Sequence, residues 1–83
     1  MRADDVLPDD ANQGDFNGVA IRKGTIAAFL ANATVWSDPA ATAADRATAE
    51  AHMAEALPSL RAVRLFDVLE VRDPGLRQWL AAR

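Results

Sequence analysis

Residues 14–25, GDFNGVAIRKGT, hold three of the chain's four glycines, an Asn-Gly pair and the only Arg-Lys pair, and they are the first place to look for a bound ion. Acidic and amide oxygens alternating before a glycine suit a calcium loop, but neither register works. With Gly18 at the sharp turn, the first ligand would be Gln13 and the closing bidentate position Gly24. With Gly14 there, the third ligand would be Ala11 and the last Ala20. An anion would need glycines running directly into a helix N-terminus. Arg22, Lys23, Gly24 and Thr25 are a weak candidate of that kind. The simpler expectation is a boundary, with Asn17-Gly18 making a turn and Thr25 capping a helix.

His52, the sole histidine, precedes Glu55 by one helical turn. Two ligands fall short of the three or four that zinc sites use, and no nucleophile stands at a spacing that would make His52 a general base. Ser59 lies in LPSLRAV. Acyl carrier proteins modify a serine that follows an aspartate in an Asp-Ser-Leu motif; here Pro58 precedes it and Arg61 and Arg64 follow, so that role is excluded. Without cysteine there is no disulfide or thiolate chemistry. No cofactor, metal or catalytic constellation is expected, and the chain reads as a non-enzyme.

Contact with a partner is the remaining chemistry. Trp36, at the end of an apolar run, is the better anchor candidate, with Trp79 read as core. Arg61, Arg64, Arg72 and Arg77 tint the last third basic: residues 61–83 carry a net +2, residues 1–20 a net −4. The acidic start could fold over these arginines as a tethered mask. A net charge of −3 overall is a poor match to nucleic acid.

The elements that must position these residues are helices. Nineteen of the forty-two apolar residues are alanine, so the larger apolar side chains can fill only a lean core between closely packed helices. Thr25 onward places Ile26, Phe29, Leu30 and Ala33 on one face of a helix over 25–36. Asp38-Pro39 starts a second helix over 39–57, with Thr42 and Asp45 as an alternative capping box. Its stripe is Ala49, Met53, Ala56, Leu57 and Leu60, and Pro58 ends or kinks it. Ser59 would cap a short third helix. Residues 65–71 fit helix or strand. Asp73-Pro74 opens a last helix over 74–82, with Leu76, Trp79 and Leu80 inward.

The expected fold is therefore mainly α: a single compact domain of three to four helices over 18–83, preceded by a flexible, disordered acidic arm over 1–17. The alternative is α+β, with a two-stranded ribbon pairing 19–22 with 67–71. The expected function is a non-catalytic protein-interaction or accessory module, binding a protein partner or itself. A helix-turn-helix DNA binder and a small-ligand carrier are the alternatives; the former would need a basic recognition helix, and 39–57 offers Arg46 alone. A carrier would need a pocket of about 300 Å³ or more, for which the apolar material looks scant. The acidic N-terminus has no apolar run, so no signal peptide and no membrane contact are expected; a small domain without disulfides suggests the cytoplasm. High alanine and arginine against a single lysine suggest a bacterial source with GC-rich DNA.

Overall fold

The computed structural model describes all 83 residues. In chain order it comprises α1 (Ala3–Val6), β1 (Gln13–Phe16), β2 (Val19–Arg22), α2 (Thr25–Ser37), α3 (Ala43–Ala62), α4 (Leu65–Val68) and α5 (Pro74–Ala81). The chain is mainly helical with one small sheet, so both the helical expectation and its α+β alternative hold. No helix is long and apolar enough to cross a membrane.

The sheet corrects the expected pairing. The partner of 19–22 is β1, antiparallel, with Gly14 opposite Ile21 and Phe16 opposite Val19. Residues 67–71 take no part: 67 and 68 close α4, and Leu69 is extended but unpaired. The reason is local. Asn17 and Gly18 both have positive φ, 52° and 83°. Two successive left-handed residues make the tight loop whose twist matches a hairpin, so β2 must pair with whatever precedes the turn. The Asp15 carboxylate accepts a hydrogen bond from the Gly18 amide at 3.0 Å and sharpens it.

The same hairpin orders the segment expected to be a free arm. Residues 1–17 are not disordered. The Asp5 carboxylate accepts from the Arg2 backbone N–H at 2.8 Å, and the Asp5 N–H donates to the Arg2 carbonyl at 3.1 Å, closing the start of α1. Lys23 donates from its backbone N–H to the Asn12 carbonyl and from its ammonium to the carbonyls of Pro8 and Asp9, at 3.1 and 2.8 Å. Leu7 packs over Gly14 so closely that a Cβ there would lie 3.0 Å from its Cδ1. Partial burial of Leu7 and Phe16, with these bonds, opposes the ordering entropy that the polar composition implied would win.

α2 and α3 form an antiparallel helical hairpin. Trp36 meets Glu50 near the link, while Thr25 and Ser59 share a groove at the far end. Gly24, at φ 87°, caps α2, and the Thr25 hydroxyl donates back to the Arg22 carbonyl instead of capping. α3 begins at Ala43 because the Thr42 hydroxyl accepts from the Asp45 amide. Asp38 spends its carboxylate on the Ala40 amide and makes a turn. Nor does Pro58 stop the helix. It is exposed, while Leu57 and Leu60 on either side are buried, so a continuous apolar seam of Ala49, Met53, Leu57 and Leu60 carries α3 to Ala62. Ser59 is thus interior. Arg64, at φ 63°, turns the chain into α4. Asp73 caps α5 as expected, accepting from the Leu76 amide at 2.8 Å.

The core is Phe29, Ala33, Met53, Leu57 and Leu60, flanked by Leu65, Phe66, Leu76 and Leu80. Phe66 meets Phe29 edge-on, with ring centres 6.1 Å apart. Trp36 and Trp79 close the α2–α5 end at 6.2 Å.

Candidate functional site

An apolar groove of about 600 Å³ lies between the N-terminal segment, the hairpin and the α2–α3 pair. One wall is Val6, Leu7 and Phe16; the floor is Ile21, Leu60 and Val63; the other wall is the first turn of α2 with Ile26 and Ala27. The material that looked too scant for a pocket comes from the segment expected to be free. Once the hairpin draws 1–17 onto the body, three apolar side chains become a wall.

All four anion-site candidates, Arg22, Lys23, Gly24 and Thr25, lie along one edge of this groove, together with Asp9. Most of their polar capacity is already used. The Lys23 ammonium holds the Pro8 and Asp9 carbonyls, and the Thr25 hydroxyl is bonded to the Arg22 carbonyl. The Arg22 guanidinium is exposed and bonded to no protein group, so it is the free cation of the edge.

The partner-binding candidates are dispersed in role. Trp36 is half-buried, packs against the core beside Trp79 and donates its Nε1–H to Glu50 at 3.2 Å. Arg61 donates to the Arg83 carbonyl at 2.8 Å, Arg64 pairs with Asp67 at 2.8 Å and Arg77 with Glu70 at 3.3 Å. Arg72 is exposed and makes no such bond. The N-terminal aspartates form no ion pair with any of these arginines, so the acidic segment does not mask them. A shallower second groove collects Arg22, Thr25, His52, Glu55 and Ser59, but no hydrogen bond links His52 to a neighbour there.

What the sequence reading missed is the division of α2's apolar face. Phe29 and Ala33 are buried, whereas Ile26 and Leu30 are turned out, Leu30 being 58% exposed. Ile26 lines the groove and Leu30 follows it one turn along. A periodicity count places all four on one stripe. It does not show that α3 and α4 cover only half of it.

The chain matches no family model, no curated protein and no solved structure.

Proposed function

We propose that this chain is a non-catalytic interaction module that docks a protein partner in the groove bounded by Val6, Leu7, Phe16, Ile21 and Ile26. The observation that carries the reading is the area left in water. A folded monomer of 8.9 kDa exposes about 4,800 Å² by the usual scaling with mass. This chain exposes 5968 Å². The surplus, about 1,200 Å², exceeds the roughly 800 Å² that each partner contributes to a standard protein interface. The shape agrees: the radius of gyration is 13.8 Å, against about 11.8 Å for a compact domain of this length. Apolar side chains account for part of the surplus, with Val6, Ile26, Leu30, Val68 and Leu69 all exposed.

A recognition groove of this kind takes an apolar anchor and surrounds it with a polar rim. The test is to pan a displayed random-peptide library on sparsely immobilised protein, with Ile26→Asp as the counter-screen. Peptides rich in large apolar residues should be enriched on the natural chain and lost on the variant. Equal recovery from both, or no enrichment, refutes the reading.

A further inference from the structure

We infer that the groove is filled by the Val68–Leu69 segment of a second copy of this chain, in a reciprocal two-fold pair. This rests on the docking reading above and names the occupant. The segment is the most exposed apolar element of the fold outside Met1: Val68 is 81% and Leu69 58% exposed. It leaves α4 with Leu69 extended, at φ −114° and ψ 137°. Neither residue lines the groove of its own chain. Val68 ends α4 and Leu69 follows it in extended backbone, so the pair stands at the exposed corner where the helix stops. One of the two enters the groove while the other lies over the Ile26–Leu30 ridge of α2.

Charge supports the same occupant. Glu70 follows directly, and its only partner is Arg77, across an exposed 3.3 Å contact that exchanges readily with solvent. The free cation on the groove edge is Arg22, with the Lys23 ammonium beside it and Asp9 opposing, a balance of one positive charge. Glu70 of a second copy meets that edge when the Val68–Leu69 corner docks. A two-fold axis brings Glu70 of each copy against the Arg22 edge of the other, which is the self-complementarity a closed dimer requires.

The test is sedimentation of the full chain from micromolar to sub-millimolar concentration. A dimer of twice 8.9 kDa is expected. The double variant Val68→Ser, Leu69→Ser changes only exposed side chains, so circular dichroism should stay unchanged while the dissociation constant rises at least about tenfold, as for loss of a central interface anchor. Arg22→Glu and Glu70→Arg should each weaken the dimer, and together they should restore it. A chain that stays monomeric throughout, or a dimer indifferent to the Val68/Leu69 double variant, overturns the proposal. If the chain is monomeric yet peptide panning succeeds, the groove belongs to a foreign partner and the docking reading stands alone. Failure of both experiments removes both.

Discussion

Lys23→Met should loosen the N-terminal segment and leave the helical core intact. Lys23 is the only lysine, and its ammonium holds two carbonyls of the same turn, at 3.1 and 2.8 Å. Methionine keeps most of the aliphatic stem and deletes both bonds. A hydrogen bond contributes about 0.5–1.5 kcal/mol net, and these are solvent-exposed, so about 1–2 kcal/mol is expected for the pair. That is a rise of roughly 5- to 30-fold in the population of the open segment. Native-state hydrogen exchange reads it directly. The amides to follow are Leu7, bonded to the Ala3 carbonyl, and Ala11, bonded to the Pro8 carbonyl. Their exchange should accelerate by that factor, while amides of α3 around Met53, which is fully buried, keep their protection. Unchanged exchange at Leu7 and Ala11 would mean that Leu7 and Phe16 hold the segment without Lys23. Equal loss of protection in α3 would mean that the segment is part of one cooperative unit with the core. Either result refutes the account of Lys23 as a local latch.

Met53→Ala should cost about 2–5 kcal/mol by denaturant unfolding at fixed protein concentration, a large share of the roughly 4–12 kcal/mol usual for a chain of 83 residues. Leu30→Ala, at an exposed position, should change stability by less than about 0.5 kcal/mol at a concentration low enough to keep the chain monomeric; comparable losses at the two sites would contradict the half-covered face of α2. Pro58→Ala restores the missing N–H in the interior of α3 and should stabilise the protein by about 1–3 kcal/mol in the same measurement; a loss of stability would refute the account of Pro58 as a tolerated breaker.

Wherever a backbone signal acts alone, the sequence was enough to place an element. Asp73-Pro74 starts α5 because the aspartate has nothing else to bond. At the start of α3 two signals compete four residues apart, and Thr42 prevails because Asp38 is spent within its own turn. Pro58 shows a local rule overruled by packing: the breaker points outward while its neighbours bury. β1 was illegible as a strand, since Gln13-Gly14-Asp15-Phe16 has neither alternation nor β-branched residues. Its existence was nevertheless implied by the two-residue Asn-Gly loop, which fixes register on both sides. The groove was legible only in part. Arg22 to Thr25 stood out by type, but the apolar wall opposite them depends on residues 1–17 folding back, a long-range event with no local signature. The free surface of α2 likewise depends on which neighbours cover it, a property of packing that periodicity does not encode.

The Asn17 side-chain amide donates to the carbonyl of Ala62, the last residue of α3, across 45 positions of sequence. A short hairpin of this kind closes within microseconds by itself, well before distant segments meet. This bond must wait until the long helix is complete to its final turn. The docking of the ribbon tip is therefore tied to the last turn of α3, and unwinding of that turn takes the acceptor away from Asn17.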